Sequence, residues 1–499
     1  MKKIKILQKI LPALGMAVLL GAGCAGNSGT APAPTGVGTA QPTETAGGQE
    51  TARPEETDGE QESVSLSDSP RWEDSRGYRH YDNTKWYYDR KKKRLVISGT
   101  GEMYNPPDAE SAEESIAPSE IYPNHTPIRR AQRNAKEIVV KPGITSIGRA
   151  AFAYFQQVEK ITLPDTLEKI GEGVFFRCES LKEINIPDRV KTIGNISFLW
   201  CKSLEKITIG KNLEEIGKGV FSDCLSLRKV EVSRKNKCFI TKNGGLYHRK
   251  QKTLCLHYAK TEQVTIEEGT ERIADSAIQW NEKVRRITIP DSVRTIGDGA
   301  MYHCSRLEKI TFSGKSQLKE FEQLWLGTID GFGHHSCFDE CNRLREFIAP
   351  ESLERMPSGA LTLCDSLERV YLGKNYRWDV PNGGRTSSGS AFREYIVSED
   401  NKEFCSRDGV LYDKYMQTLY IYPDGKDGTE FTVPQSVKYV HYIPVKKNMM
   451  RKLVVPNKDT VFRIPWAFPK NSRRLVIYGR KGSDIYRIAK KRNLKFVEL

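Results

Sequence analysis

Along the middle of the chain, apolar positions return every 23 residues. Ile147, Ile170, Ile193 and Ile216 are each followed by a glycine (Gly148, Gly171, Gly194, Gly217). Phe152, Phe175, Phe198 and Phe221 lie five positions beyond each isoleucine, and Cys178, Cys201 and Cys224 keep the same spacing. Between these marks lies a period-two stretch, Leu181-Lys182-Glu183-Ile184-Asn185-Ile186-Pro187, repeated as Leu204-Glu205-Lys206-Ile207-Thr208-Ile209. The alternation predicts a short strand with Ile184 and Ile186 on its buried face and Leu181 entering the core before them, stopped by the following Pro or Gly. The segment from Gly171 to Cys178 is expected to form one helical turn with Phe175 and Cys178 inward.

A unit this small cannot bury its own apolar face, so successive units must stack on one continuous core. The marks resume at Ile273 and Ile296 and, more loosely, at Phe321, Met356, Val440 and Ile464, giving about ten coils over residues 137–482. Two stretches, near 233–262 and 398–430, interrupt the rhythm and match one another. Asn236, Phe239, Gly244, Leu246 and Tyr247 correspond to Asn401, Phe404, Gly409, Leu411 and Tyr412 at a constant offset of 165. Their short runs around Gly-Leu-Tyr and Val-Leu-Tyr predict β-hairpin excursions. Residues 71–136 read as a β-rich N-terminal cap, with strands at Trp86-Tyr87-Tyr88 and Leu95 to Gly101 joined through the basic turn Arg90 to Arg94. Residues 483–499 read as a C-terminal cap, a basic helix from Ser483 to Arg492 and a last strand from Leu494 to Leu499.

These units resemble the BspA-like, Treponema-type leucine-rich repeats of bacterial surface proteins, whose unit reads approximately Leu-x-x-Ile-x-Ile-Pro-x-x-Val-x-x-Ile-Gly-x-x-Ala-Phe-x-x-Cys. The resemblance covers most of residues 136–499 and includes the inserted hairpins. It implies an α/β leucine-rich-repeat solenoid of about 23-residue units, with a parallel sheet on the concave face and short helical turns on the other. It also implies extracellular adhesion or protein binding, while leaving the ligand open.

The N-terminus places Lys2, Lys3, Lys5 and Lys9 ahead of an apolar run from Ile10 to Leu20 that is too short to span a membrane. Residues 1–23 therefore read as a signal peptide. Gly21-Ala22-Gly23-Cys24 resembles the lipobox of bacterial lipoproteins, although Gly21 stands where that pattern usually has Leu. The resemblance implies lipidation of Cys24, a membrane anchor, and a position on the extracellular face of the bacterial cell envelope. Residues 24–70, rich in Gly, Thr, Ala, Pro, Ser and Glu, read as a lipidated cysteine followed by a disordered acidic linker.

Charge widens the range of partners. The chain is formally +15, its first 24 residues carry +4 and residues 25–70 carry −7, which leaves +18 for the body from Arg71 onward. A body that basic suits an acidic glycan or cell-wall polymer, the alternative to an extracellular protein partner. Nucleic acid is not expected as a partner.

Candidate chemistry is sparse. Cys178, Cys201, Cys224, Cys304, Cys341 and Cys364 share one slot of the repeat and read as reduced packing residues. Cys238 and Cys255 lie in one insert and leave a disulfide open, and Cys405 has no obvious partner. His334, His335 and Cys337, with Cys341 beyond, have metal-ligand chemistry, but Cys341 belongs to the packing ladder and adjacent histidines cannot both point one way on an extended chain. No metal, no cofactor and no catalytic residues are expected.

The outward positions of the strands are the candidate binding surface. They alternate in sign from strand to strand, which supports the sheet itself. Left over are Arg228, Lys229, Arg285 and Arg286, expected as one positive patch and extended by Thr288, Lys309 and Arg369, with Tyr371 as an aromatic contact.

Overall fold

The computed structural model describes residues 63–66, 72–73, 79–80, 83–103, 127–322, 337–357, 359–377, 391–444, 450–464 and 468–499. The expected signal peptide and Cys24 lie outside them.

Each regular coil has three sides. In the coil that begins at Leu181, strand Glu183–Ile186 forms the first side, Thr192–Ile193 the second, and the turn from Gly194 to Cys201 the third. Every side bonds to the next coil. Ile184 pairs in parallel with Ile207 and Ile186 with Ile209, Ile170 pairs with Ile193, and on the turn side Phe175 N donates to Ser197 O at 2.9 Å and Arg177 N to Leu199 O at 2.9 Å. The residues expected to form one helical turn thus make successive tight turns, with Phe176 N donating to Gly173 O and Cys178 N to Phe175 O, both at 3.0 Å. The protein is a parallel-strand solenoid of about 14 turns with little helix.

The Ile-Gly mark is the second sheet. The isoleucine is its buried residue, and the glycine follows because the next backbone is too close for a side chain. A Cβ on Gly194 would sit 2.6 Å from Glu172 N, and one on Gly217 2.5 Å from Asn195 N. The phenylalanines stack inside, with ring centroids 6.1, 5.1 and 5.9 Å apart from Phe152 through Phe175 and Phe198 to Phe221. Beside them each ladder thiol donates to a carbonyl, as Cys201 Sγ does to Phe175 O at 3.2 Å. The loose mark at Ile464 moves: the register sets Phe462 beside Val440, because that coil is one residue shorter.

Both inserts form the expected antiparallel hairpins, and the middle strand of each is buried between two cores. The first comprises strands Phe239–Lys242, Gly245–His248 and Thr253–His257, and the last of these pairs in parallel with Arg272–Ile273 of the second side. Gly245, Leu246, Tyr247 and His248 are all buried, as in a strand covered on both faces. Leu246 packs with the core before it and Tyr247 with the core after it. The second insert, Phe404–Arg407, Val410–Asp413 and Thr418–Ile421, repeats the design, with Leu411 facing back and Tyr412 facing forward. A buried asparagine anchors each. Asn236 Nδ2 donates to Gly210 O and Leu213 O while its Oδ1 accepts from Cys238 N and Phe239 N; Asn401 does the same with Gly373 O, Tyr376 O, Glu403 N and Phe404 N.

At the N-terminal side Thr84–Asp89 and Arg94–Gly99 pair antiparallel, and the latter starts the parallel ladder by pairing with Glu137–Val140. Ser63–Leu66, within the segment read as linker, adds a further strand to Thr84–Asp89, in keeping with its own period-two Ser-Val-Ser-Leu pattern. The coils close on helix Asp484–Arg492, capped by Ser483 and by Asn493 in a left-handed conformation, and on strand Lys495–Glu498.

Candidate ligand-binding face

On the first side, alternate residues of each strand point away from the core, and parallel register lines them into rows. This side is cut into separate sheets by the two inserts and by a further break between Lys309–Phe312 and Glu346–Ile348. The first ends at Lys229–Val232, the second comprises Gln263–Thr265, Arg286–Ile289 and Lys309–Phe312, and the third comprises Glu346–Ile348, Arg369–Leu372 and Glu394–Val397.

The four arginines and lysines expected as one patch are therefore divided. Arg228 and Lys229 belong to the first sheet, Arg285 and Arg286 to the second, and an acid stands between them after all. Glu262 precedes Gln263–Thr265 and sits 3.9 Å from Arg285, whose other flank meets Glu308 at 2.8 Å. Arg228 pairs with Glu205. Lys206 and Lys229 each reach Glu231 at 2.9 Å, and these two hydrogen bonds pull the Glu231 carboxyl down to about 2. Arg369 pairs with Glu394 at 2.8 Å. Exposed pairs of this kind add little to stability; they hold the rows in register and neutralise them.

Two spots escape neutralisation. Arg286 and Lys309 are direct neighbours in register, Gln263 completes their row, and neither has an ion-pair partner among the described residues. Beside them Thr265, Thr288 and Thr311 form an exposed hydroxyl row. On the third sheet, Tyr371 lies between Ile348, which is 49% exposed, and Ile396. The two sheets abut inside through Phe312 and Phe347, whose rings are 6.2 Å apart. An open groove of about 630 Å³ lies further back, lined by Asn185, Thr208, Glu231, Asp165 and Asp188 together with Ile186, Ile209 and Val232.

The turn side carries an order that sequence reasoning missed. The residue before each ladder cysteine or its equivalent, Tyr154, Arg177, Trp200, Asp223, Trp280, His303, Glu340 and Leu363, is left-handed with φ between 53° and 66°. Successive side chains meet. Arg177 lies 4.6 Å over Trp200, Trp280 Nε1 donates to Asp223 Oδ1 at 2.8 Å, the tilted rings of Trp280 and His303 are 3.9 Å apart, and His303 Nδ1 lies 2.5 Å from Glu340. The only signal was position, since these residues share no chemistry.

Among the described residues no group of three or more His, Cys, Asp or Glu is placed to hold a metal. His334 and His335 lie outside them, and Cys337 is buried against Met301 Sδ at 3.6 Å. All ten described cysteines are thiols, Cys238, Cys255 and Cys405 included, and burial pushes the Cys304 and Cys255 thiols up to about 12. Among the described residues no helix is long and apolar enough to cross a membrane.

Residues 131–243 and 252–377 match the model of the BspA type leucine rich repeat region in six copies. No curated protein matches the chain. Similar solved structures include a leucine-rich repeat protein of Eubacterium ventriosum (21% identity, 68% of this chain and 96% of that one, TM-score 0.44). A leucine rich cell surface protein of Faecalibacterium prausnitzii (18%, 64% and 94%, 0.44) is another. A third is the pneumococcal vaccine antigen PcpA (15%, 84% and 98%, 0.40).

Proposed function

The chain carries a BspA-type leucine-rich repeat region, and on that premise we propose that it is a non-enzymatic protein-binding, adhesive protein of the bacterial cell surface. In this reading Cys24 holds it by lipid to the extracellular face of the envelope, and the strand face grips an extracellular protein. The observation that carries the binding site is the outward row Ile348, Tyr371 and Ile396, exposed at Ile348 and half-buried at the other two, one sheet away from the uncompensated pair Arg286 and Lys309. Interface energy concentrates in aromatic and arginine anchors ringed by polar residues, and here Thr288, Arg369 and Glu394 supply that ring. Arg228, Lys229 and Arg285, already paired, act as supports to the rows.

The test is binding of the chain to a panel of extracellular matrix proteins at low and high salt. Saturable binding that survives 0.5 M salt and falls about tenfold in a Tyr371→Ser, Ile348→Ser variant, on the order of the 1.4 kcal/mol one such anchor supplies, supports the strand face. Unchanged binding by that variant would remove it.

A further inference from the structure

The charge of the body is not spread along the solenoid. Residues 431–499 hold 17 Lys and Arg against three Asp and Glu, a net +14 of the +15 carried by the whole chain. Two of those acids are engaged, Asp484 with Arg487 at 3.3 Å and Glu498 with Lys481 at 2.6 Å.

The fold gathers part of this excess at one place. Asn471 N donates to Arg492 O at 2.8 Å, and Asn493 Nδ2 donates to Asn471 Oδ1 at 2.9 Å. These bonds bring the loop with Lys470, Arg473 and Arg474 against the last turn of helix Asp484–Arg492, which ends in Lys490, Lys491 and Arg492. Five of the six are exposed and Arg492 is half-buried, and none has an ion-pair partner among the described residues. The helix dipole accounts for cations in the last helical turn, but it gives no reason for Lys470, Arg473 and Arg474. Solubility asks for charge dispersed over a surface rather than six like charges on two adjoining segments.

We propose that this cluster is a binding site for a linear polyanion bearing phosphate or sulfate groups, separate from the strand face and independent of any protein partner there. Arginine forks suit such oxyanions in bidentate fashion, and lysines add mobile point charges. The aromatic ring beside the cluster favours a polymer read by charge over a nucleic acid read by base stacking: Lys490 covers Tyr486 at 5.0 Å, and Phe496 meets it edge-on at 5.0 Å. A ring already partnered in this way is a poor platform for stacking a base.

The test compares the full chain with two variants that lose five charges each. One replaces Lys470, Arg473, Arg474, Lys490 and Lys491 by Gln; the other replaces Arg228, Lys229, Arg285, Arg286 and Lys309 by Gln. Probes are linear polyphosphate and heparin, with single-stranded DNA and anionic lipid vesicles as competitors. The expected result is that at least one of the two polymers binds, telling phosphate from sulfate. The first variant should bind it about tenfold more weakly, with a salt slope reduced by roughly 3, while the second stays within twofold of the original chain. Equal weakening in both variants would leave net charge as the explanation and overturn the site, as would preference for DNA or vesicles, or no polymer binding. Should the first variant misfold, protection of Arg473 and Arg474 from phenylglyoxal by bound polymer in the unaltered chain decides the matter, and no protection overturns it.

Discussion

At the residue scale, His257 joins packing to titration. It is 3% exposed in the last strand of the first insert, its backbone N donates to Ala277 O at 2.6 Å, and its ring Nδ1 has no hydrogen-bond partner. Burial, with Lys260 nearby, pulls the imidazole down to about 4. Between that value and the ordinary 6.5 the unfolded chain binds the extra proton, so the native state loses stability as pH falls through this window, by about 3 kcal/mol at most. Asp339 acts in the opposite sense. Burial and Glu340 raise it to about 6, so its contribution is lost as pH rises from the ordinary carboxylate range toward 6. The expected outcome is therefore read as a difference: denaturant midpoints of the unaltered chain and a His257→Gln variant, measured from pH 7 to 4, should converge on acidification. Parallel curves would mean that His257 is protonated or solvated in the native state. The residues of the turn ladder were invisible in the sequence because what they share is a backbone conformation, and Tyr, Arg, Trp, Asp, His, Glu and Leu reach it with unrelated side chains.

At the scale of the element, much was legible. The 23-residue spacing identified the strands, the buried isoleucines and the cysteine slot, because a stacked coil repeats its environment and so its residue types. The second sheet was less legible, since a strand as short as Thr192–Ile193 has no alternation to read. The inserts are legible as a matched pair of hairpins, but the burial of their middle strands is not. The missed signal was Leu246-Tyr247 and Leu411-Tyr412, apolar on both faces of one strand, which requires a core on each side. The same omission hid the rung holding Glu262 and made four separated cations look like a patch. The asparagines that seat the inserts give a direct test. Asn236→Ala or Asn401→Ala leaves two amide N–H groups and two carbonyls without their partners, at a cost of about 3 kcal/mol. Hydrogen exchange should quicken first in strand Phe239–Lys242 or Phe404–Arg407. If exchange rises evenly over all coils, the insert is not the unit that the asparagine holds.

At the scale of the whole solenoid, the two inserts divide one long core into three. Trp86 through Phe239 line the first, Ile273 through Tyr395 the second, and Val433 through Leu494 the third. Repeats couple only to their neighbours, so a boundary where the strand-side ladder stops is a weak joint. Denaturant unfolding is expected to show more than one transition, with tryptophan fluorescence, which reports mainly on the first two cores, failing to coincide with far-ultraviolet circular dichroism. A single coincident transition would mean that the inserts transmit stability as well as regular coils do. The same partition has a mechanical meaning. Stretched along its axis, a ladder of uniform rungs peels one coil at a time, whereas one divided by bulkheads holds each compartment until its wall gives. With the chain held at its N-terminal end and pulled at the strand face, the force crosses the first insert and leaves the compartment beyond the second insert unloaded.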